Sequence, residues 1–597
     1  MSQPRTAAAL RFAAALPVTV LLLLVSPPAV IAQLQVVTTS PSRNTMVPVV
    51  SNVSITFDRP LQVSSVTPAS FRVFGRWSGN VPGTVSFSNG NRTVTFDRQR
   101  PFSAGEIVSV TLSHDLKGAD LAPLRSAGYF YQFTAATVPS LRQFDEIDVM
   151  SNRIAGAQTR IYGAAGADLD EDGYCDLTTV NEVSADVRVF MNRGDGTGLF
   201  DDFLSPQTIG QEASPNEPAD FDNDGHSDLC IGATTAGEVW VLMGNGDGTF
   251  GPTIGLPVGN SPHGVTPIDV DGDGDPDIVN VNEESNNLSL LVNDGTGSFA
   301  PAVYFDSGVG WEWGLAAADM NDDGICDLVT GGISGQVQTL LGNGNGTFTP
   351  AGTAQNAGGN PWGVAIGDLN GDRVLDILLA NSTTSNGGVM LGNGDGTFAA
   401  VTTYLGAGHT PSADVGDLDG DGDLDLVLSS FGGGRWRIYT NNGSGTFQWD
   451  QDIFAPANPS CAIPLDIDND LDLDLVLTDE IADVVILREN RNGTTAAGDD
   501  EARPARLALR PNVPNPADGR GTLLHFGLPR EGDVRIAVYD VAGREVASAE
   551  RAGLGPGWHT HRIDGRDHAG RPLSAGVYYY AVTAGGETVT DRMILLP

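Results

Sequence analysis

Apolar and polar residues alternate along much of this chain in short runs that end at turns rich in Gly, Asn and Asp. The stretch 264–305 is representative, with strand-like runs at 264–268, 277–281, 288–292 and near 302–305. A period of two over four to eight residues is typical of β-strands, and this stretch lacks the 3.6-residue spacing of an amphipathic helix. The pattern predicts an all-β protein.

The same four-strand pattern recurs seven times within residues 140–493, with 49 to 52 residues between successive copies. Each copy carries Asp-x-Asp-x-Asp-Gly-x-x-Asp, or a variant of it, ahead of an apolar run. A four-stranded unit repeated at this period predicts the blades of a β-propeller, in which each blade buries its faces against its neighbours. The seven motifs begin at Asp168, Asp220, Asp269, Asp319, Asp368, Asp417 and Asp466.

The two ends of the array predict that it closes into a ring. Six copies end their third strand in a Gly-rich turn followed by Phe, whereas the seventh stops at 490–493 before a fourth strand. A matching run at 144–149 lies upstream of the first copy. We expect this run to complete the last blade, which makes seven blades and leaves only short, protected sheet edges.

The Asp motif predicts a calcium loop. The side chains of positions one, three, five and nine and the carbonyl of position seven can converge on one cation, and such hard oxygen ligands suit Ca²⁺ better than Mg²⁺. Gly at position six permits the sharp turn. The predicted ligands are Asp168, Asp170, Asp172, Tyr174, Asp176, Asp220, Asp222, Asp224, His226, Asp228, Asp269, Asp271, Asp273, Asp275, Asp277, Asp319, Asn321, Asp323, Ile325, Asp327, Asp368, Asn370, Asp372, Val374, Asp376, Asp417, Asp419, Asp421, Asp423, Asp425, Asp466, Asp468, Asp470, Asp472 and Asp474.

Departures from the motif grade the seven loops. Asn321 and Asn370 replace Asp at position three, and Arg373 and Leu471 replace Gly at position six, so loops five and seven are expected to bind calcium most weakly. Each loop joins two strands of one blade without a spare catalytic partner, so up to seven ions are predicted to be structural. The alternative is a set of solvated acidic turns without ions. Repulsion among four carboxylates, about 1 kcal/mol per pair even in water, argues against it.

Residues 138–493 resemble the FG-GAP/VCBS repeat family on these motifs, since the loop, the turn and the period all agree. That family includes the propeller of the integrin α-chain head and several fungal lectins. The resemblance implies a propeller that binds an extracellular protein or a glycan.

One mouth of the predicted ring carries aromatic residues. In each copy, the residue six places before the Asp loop lies about 20 Å from that loop along the first strand, and therefore at the opposite face of the ring. Three consecutive copies place His263, Trp313 and Trp362 there, with Trp311 beside them and a neighbouring turn at 280–287 rich in Asn and Glu. Rings beside amides form a platform for a sugar or a peptide. The alternative is that the rings plug the channel and wedge the blades apart.

Two further segments flank the repeats. Residues 33–137 alternate in runs such as VSITF and IVSVTL, which predicts a β-sandwich, and resemble the bacterial Ig-like domain of S-layer type, mostly a spacer or adhesion module. Residues 505–597, with VRIAVYDVAGREV and RPLSAGVYYYAV, resemble the FlgD-type Ig-like domain and the type IX secretion C-terminal sorting domain. Ile563-Asp564-Gly565 stands where that family usually has Trp-Asp-Gly. Residues 494–504 are small, polar and charged, and are predicted to form a linker.

The first 32 residues have the pattern of a cleaved export signal. Arg5 and Arg11 precede an apolar run at 16–25, and Val30-Ile31-Ala32 supplies a small-residue cleavage site. The run is short for a membrane span of about 20 residues. We therefore expect a secreted or cell-surface protein whose mature chain is not inserted in the membrane. If the C-terminal domain acts in sorting, it would attach the protein outside the outer membrane.

A formal net charge of −41 argues against nucleic acid and anionic membranes as partners. The four Cys lack the spacing of a zinc site or a disulfide scaffold, which predicts small buried residues. The sequence contains neither Gly-x-Ser-x-Gly nor His-Glu-x-x-His, and its paired carboxylates are already assigned to calcium. The leading hypothesis is a monomeric, non-enzymatic protein of extracellular adhesion or recognition. A lectin and a secreted polysaccharide-degrading enzyme are the alternatives.

Overall fold

The computed structural model describes residues 33–209, 213–492, 506–513, 522–530, 532–554, 557–563, 565–568 and 571–595. Within these ranges it holds 45 β-strands and only three single-turn 3₁₀ segments, at Val63–Ser65, Asn89–Asn91 and Phe431–Gly433. The prediction of an all-β protein is confirmed. In the described ranges no helix has the length and apolar character needed to cross a membrane. The export signal and the linker predicted at 494–504 lie outside the described residues.

The N-terminal domain is a sandwich of two sheets whose inward side chains form one core. Val53, Ile55 and Phe57 alternate with half-buried residues along one strand, and Val108 and Val110 do so on the facing sheet, as the period of two predicts. One sheet has the order β1-β3-β7-β6 and the other β2-β9-β8-β4-β5. The strands are β1 Val36–Ser40, β2 Met46–Val47, β3 Val53–Phe57, β4 Phe71–Gly75, β5 Gly79–Asn80, β6 Gly83–Ser88, β7 Thr93–Arg98, β8 Ile107–Leu112 and β9 Tyr129–Ala135.

The repeats form seven sheets, each built on four antiparallel strands. In the first six the strands follow chain order from the inside outwards, whereas the seventh has the order β36-β37-β38-β10. In the fourth sheet, β27 also pairs with β25. The strands are β10 Ser140–Ser151, β11 Ile161–Ala167, β12 Asp176–Asn181, β13 Asp186–Phe190, β14 Gln207–Thr208, β15 Ala213–Ala219, β16 Asp228–Ala233, β17 Glu238–Leu242, β18 Ile254–Pro257, β19 Pro262–Ile268, β20 Asp277–Asn282, β21 Asn287–Leu291, β22 Val303–Phe305, β23 Glu312–Ala318, β24 Asp327–Gly332, β25 Gln336–Gly342, β26 Phe348–Pro350, β27 Gln355–Asn356, β28 Pro361–Gly367, β29 Asp376–Asn381, β30 Asn386–Met390, β31 Thr402–Leu405, β32 Ala413–Gly416, β33 Asp425–Ser430, β34 Arg435–Asn441, β35 Phe447–Phe454, β36 Pro459–Leu465, β37 Asp474–Asp479 and β38 Val484–Asn492.

The first strands of the seven sheets pack side by side in a propeller-like ring. Each contacts the first strand of the next sheet, and β36 of the last sheet contacts β11 of the first. The second strand of every sheet is buried at all six of its residues, because neighbouring sheets cover both of its faces. As predicted, the upstream run supplies the outer strand of the last sheet, since β10 pairs with β38.

Asparagine side chains fasten neighbouring sheets near the predicted calcium loops. Asn293 Nδ2 donates to the Phe221 carbonyl of the preceding sheet at 2.7 Å, and Asn441 and Asn490 repeat this bond one sheet back. Asn192 of the first sheet makes the same bond, at 2.8 Å, to Ile467 of the seventh. The first and seventh sheets are therefore joined by the same bond that joins the second to the third, the fifth to the sixth and the sixth to the seventh.

The C-terminal unit is a second two-sheet sandwich with its own core, which includes Leu524, Phe526, Ile536, Tyr580 and Met593. One sheet has the order β39-β40-β43 and the other β42-β41-β44-β45. The strands are β39 Ala508–Val513, β40 Thr522–Leu528, β41 Gly532–Tyr539, β42 Glu545–Leu554, β43 Gly557–Ile563, β44 Gly576–Ala584 and β45 Glu587–Leu595.

Candidate metal centres

Five of the seven Asp loops bring carboxylates together at the spacing of a cation site. In each, one oxygen from each of three Asp side chains lies within 4.8 Å of the other two. Such a set of hard oxygen donors fits Ca²⁺. The triads are Asp168, Asp170 and Asp176; Asp220, Asp222 and Asp228; Asp269, Asp271 and Asp273; Asp417, Asp419 and Asp421; and Asp466, Asp468 and Asp474.

Unpaired buried oxygens in these loops also fit a cation. Asp168 Oδ1 and Asp220 Oδ1 are buried without a hydrogen-bond partner, as are both carboxylate oxygens of Asp472 in loop seven. Asp168 and Asp220 are only 2% and 4% exposed. A buried carboxylate oxygen without a partner is unfavourable, so an ion at each of these three loops would remove a desolvation penalty.

The Asp at position nine also has a structural role that the sequence reasoning did not find. In all seven loops its carboxylate accepts the backbone N–H of position two, at 2.7–3.2 Å. It also accepts the backbone N–H of the residue fifteen or sixteen places after this Asp, at 2.6–2.8 Å. The sequence signal for this role is that Asp occupies position nine in all seven copies, including the two that lack Gly at position six. This Asp ties each loop to the end of the third strand.

The loops predicted to be weakest keep the shape of the others. Arg373 and Leu471 at position six adopt φ of +70° and +78°, the left-handed region that Gly occupies in the other loops. Loop seven still gathers its triad, and Leu471 packs against the core of the N-terminal domain. Beside loop five, Asn44 of the N-terminal domain donates to the Arg373 carbonyl at 3.0 Å, and residues of both sides, including Asp368, line a cavity of about 270 Å³. The ranking of calcium affinities stays a prediction.

Burial changes the protonation of these loops when no ion is bound. Burial raises the pKa of Asp168 to about 7, with the Arg100 charge opposing the shift and Asp172 adding to it. Burial likewise raises the pKa of Asp176 and Asp425 to about 8 and that of Asp277 to about 9. Protons would therefore occupy part of the ligand set near neutral pH.

This protonation predicts how the stability of the calcium-free protein depends on pH. A carboxyl group whose pKa is raised on folding holds its proton in the folded state where the unfolded state, with a pKa of about 4, has lost it. Stability is then greatest near pH 4–5 and falls as pH rises toward 8. We expect the thermal midpoint in EGTA to be lower at pH 8 than at pH 5, and calcium binding at pH 7 to release protons. A calcium-free midpoint that rises from pH 5 to 8 would contradict this.

The N-terminal domain packs directly on the calcium-loop face of the ring. Backbone bonds join Trp77 O to Asp168 N and His114 N to Gly272 O, both at 2.7 Å. The approach is so close at Gly272 that a Cβ there would lie 2.4 Å from Gly128 N. The resemblance to a spacer or adhesion module did not predict this packing. The described residues between 33 and 492 belong to one compact unit.

Opposite charges line this contact. Residues 33–135 hold nine basic and five acidic residues in a chain of net charge −41. Arg100 pairs with Asp168, Arg72 lies 3.8 Å from Asp220, and Arg43 lies 3.1 Å from Asp319. Each of these Asp residues is position one of its loop. These arginines, which the sequence motif did not identify, therefore belong to the surroundings of the metal centres.

The β4–β5 turn anchors the domain on the ring. Trp77 is 8% exposed and belongs to one buried cluster with Leu177 and Leu473 of the repeats. The buried Glu106 carboxylate holds the turn by accepting the N–H groups of Trp77 and Ser78, each at 2.9 Å. Neighbouring Arg76 donates to Glu217 on the first strand β15 at 3.0 Å. The domain thus contacts both the loops and the inner ring.

The face opposite the N-terminal domain carries the predicted aromatic group. Trp313 stacks between His263 and Trp362, with ring centroids 3.7 Å and 4.4 Å away. Both faces of the Trp313 ring are therefore covered by protein. Burial lowers the pKa of His263 to about 4, so this ring is neutral at physiological pH. Of the four predicted ligand-face residues, Trp311 is the one with a largely free ring, at 59% exposed.

The polar turn beside this group differs from its prediction. Asn280 and Asn282 lie in β20 and are fully buried. Their amides bond to each other at 2.8 Å, and Asn282 also donates to Ser289. They support the sheet and cannot contact a ligand. Asn286 remains at the surface, where its Oδ1 accepts the Trp311 N–H at 2.7 Å.

The four cysteines carry no disulfide. Cys175, Cys230 and Cys326 are buried and Cys461 is half-buried. The burial of the first three agrees with the prediction from the sequence, whereas Cys461 is partly exposed.

Several solved structures are similar to this chain. A BBS1N structure in complex with ARL6DN is 12% identical with a TM-score of 0.43, covering 61% of this chain and 100% of its own. An Agrocybe aegerita lectin that recognises non-reducing terminal N-acetylglucosamine is 21% identical with a TM-score of 0.37, covering 60% and 91%. A functionally unknown protein from Desulfotomaculum acetoxidans is 12% identical with a TM-score of 0.35, covering 64% and 98%. No curated protein matches the chain.

Two families match the sequence itself. Residues 31–135 match the bacterial Ig-like domain. Six overlapping matches to the FG-GAP-like repeat cover residues 168–231, 220–280, 269–330, 319–379, 368–428 and 417–477, which together make just over half of the chain. The chain belongs to the FG-GAP-like repeat family.

Proposed function

We propose that this protein is a secreted or cell-surface, calcium-binding, seven-bladed β-propeller that recognises an extracellular partner without catalysis. The observation that carries the proposal is the position of the N-terminal domain, which covers the calcium-loop face and leaves the opposite face for a partner. Seven four-stranded sheets and the contact of β36 with β11 support seven blades.

Calcium in this proposal is structural. Every loop joins the first and second strands of one sheet, and its position-nine Asp holds the third strand. The N-terminal domain packs on the same loops. Ions held between tightly packed elements stabilise an architecture, and a partner on the opposite face would benefit from a rigid ring.

The recognition site proposed here is centred on Trp311. Large exposed aromatic side chains are frequent anchors of interfaces, and Trp311 stands beside the Asn286 amide, which offers hydrogen bonds. The stacked His263, Trp313 and Trp362 would form a rigid floor. A single large, exposed aromatic anchor favours a protein partner. The pairing of Trp311 with an amide favours a glycan as the second candidate, which would make the protein a lectin.

The C-terminal unit is proposed as an Ig-like domain of the FlgD or type IX secretion sorting type. Its separate two-sheet core supports an independent domain, and its sequence phrases support the sorting role. In this role it would attach the exported protein outside the outer membrane.

Substitution of Trp311 tests the proposed site. The mature chain with Ca²⁺ is screened on a glycan array and on purified extracellular matrix proteins, and each ligand found is titrated against variants. Trp311→Ser is expected to weaken binding at least tenfold, about 1.4 kcal/mol. Trp449→Ser is the matched control, because Trp449 is 54% exposed on the outer strand β35. Binding that survives Trp311→Ser and is lost in Trp449→Ser would place the site on the outer edge and contradict the proposal.

A further inference from the structure

The position-one carboxylate of loop one is divided between two partners. Asp168 Oδ2 accepts hydrogen bonds from Arg100 Nη1 of the N-terminal domain and from the Gly173 N–H of its own loop, the latter at 3.0 Å. Asp168 Oδ1 is buried and has no hydrogen-bond partner. One oxygen of Asp168 lies within 4.8 Å of oxygens of Asp170 and Asp176. The N-terminal domain therefore holds one side of a carboxylate whose other side is unsatisfied.

Loop two repeats this division with different residues. Asp220 Oδ2 accepts a hydrogen bond from Asn80 Nδ2 at 2.5 Å and lies 3.8 Å from Arg72 Nη1. Arg72 also donates to the Asp220 backbone carbonyl at 3.0 Å. Asp220 Oδ1 is buried without a partner, as in loop one. Two independent sets of side chains thus produce the same arrangement.

Loop three provides an internal contrast. Both oxygens of its position-one residue, Asp269, accept N–H groups of the same loop, from Gly272 at 2.8 Å and Gly274 at 3.0 Å. The N-terminal domain reaches this loop through a backbone bond from His114 N to Gly272 O. The orientation of Asp269 is therefore determined within its own loop.

We propose that Arg100, and Arg72 together with Asn80, are positioning residues for the cations of loops one and two, so that calcium and the N-terminal domain hold the same two carboxylates from opposite sides. The proposal rests on the calcium binding proposed above. A carboxylate fixed through one oxygen presents the other to an ion without losing further rotational freedom. Residues that orient metal ligands in this way typically contribute 10- to 100-fold to metal affinity.

The charges allow an ion and a guanidinium to bind together. Loops one and two each have four Asp at ligand positions, so one Ca²⁺ leaves a formal charge of −2 and one arginine leaves −1. The two cations therefore share an excess of negative charge. Because coupling between two binding events is reciprocal, calcium strengthens the docking of the N-terminal domain by the factor with which the domain strengthens calcium.

Calcium titration of the full mature chain tests this coupling. Chelator-treated wild type, Arg100→Gln and Asn80→Ala are titrated with Ca²⁺ by calorimetry, and bound calcium is counted by equilibrium dialysis. Each variant is expected to show one site weakened 10- to 100-fold and the other sites unchanged. Arg100→Lys, which keeps the charge, is expected to recover most of the affinity of that site. Arg59→Gln is the matched control, because Arg59 pairs with Asp58 and Asp120 inside the N-terminal domain.

The second measurement follows the docking of the N-terminal domain on the ring. Hydrogen exchange of the 75–79 turn is expected to be slower with calcium than in EGTA, and this difference is expected to shrink in Arg100→Gln and in Asn80→Ala. Variants that bind calcium with wild-type affinity at every site would overturn the positioning role while leaving calcium binding intact. A wild-type chain that binds no calcium would instead overturn the proposed function. Failure of the positioning role and failure of calcium binding therefore give different results. If Arg100→Gln or Asn80→Ala does not fold, the other variant carries the test.

Discussion

Removal of calcium with excess EGTA is expected to lower the thermal midpoint of the mature chain by about 10 °C or more. One loop filled at a hundred times its dissociation constant stabilises the folded state by about 2.7 kcal/mol, so five triad-bearing loops together contribute on the order of 10 kcal/mol. Without ions, carboxylates such as those of Asp466, Asp468 and Asp474 repel one another in buried positions.

The test is differential scanning calorimetry in calcium, in EGTA, and in EGTA followed by excess Ca²⁺ or Mg²⁺. The midpoint should return with Ca²⁺ and not with Mg²⁺, because Mg²⁺ requires a strict octahedron and retains its waters. An unchanged midpoint in EGTA would exclude structural calcium. The acidity of the loops would then need another physical reason.

Replacement of Trp77 by Ala is expected to destabilise the unit formed by the N-terminal domain and the ring by about 3–5 kcal/mol. Trp77 is 8% exposed and belongs to the buried cluster that includes Leu177 and Leu473, so its removal leaves a cavity where the domain meets the ring. The side chain lies on the turn that Glu106 holds, so the loss falls on the docking of the domain rather than on its own core.

Calorimetry separates these effects. The wild-type N-terminal domain and ring are expected to unfold in one transition, whereas Trp77→Ala should unfold the N-terminal domain at a lower temperature than the ring. Trp449→Ala is the control, since this exposed side chain should change stability by within about 0.5 kcal/mol. Equal effects of the two substitutions would show that Trp77 does not anchor the domain.

Coverage of the calcium-loop face changes where a partner can bind. A spacer would leave both faces of the ring accessible. In this protein the N-terminal domain occupies the loop face, and its basic residues meet position-one carboxylates of three sheets. We therefore propose that recognition uses the opposite face, which carries Trp311 and the stacked rings.

The sequence by itself determined the features that local pattern encodes. A period near 49 residues, strand alternation and turn chemistry determined the four-stranded units, and the Asp motif located the loops. The seventh copy stops at 490–493 before a fourth strand, and a matching run lies upstream at 144–149. These two observations predicted the pairing of β10 with β38. Each of these signals lies within one repeat or in the comparison of repeats, so no tertiary contact was needed to find it.

Only the tertiary structure decided how these parts meet. Arg43 and Asp319 are 276 residues apart, and no periodicity relates a sandwich arginine to a loop in the ring. The sequence placed His263, Trp313 and Trp362 at one mouth, but mutual stacking, which covers the faces of Trp313, depends on the spacing of adjacent first strands. The polar turn predicted Asn282 at the surface, but its amide is buried and donates to Ser289 on the next strand. Docking, stacking and burial of polar groups arise from packing between separate strands and domains, and residue spacing along one segment does not encode them.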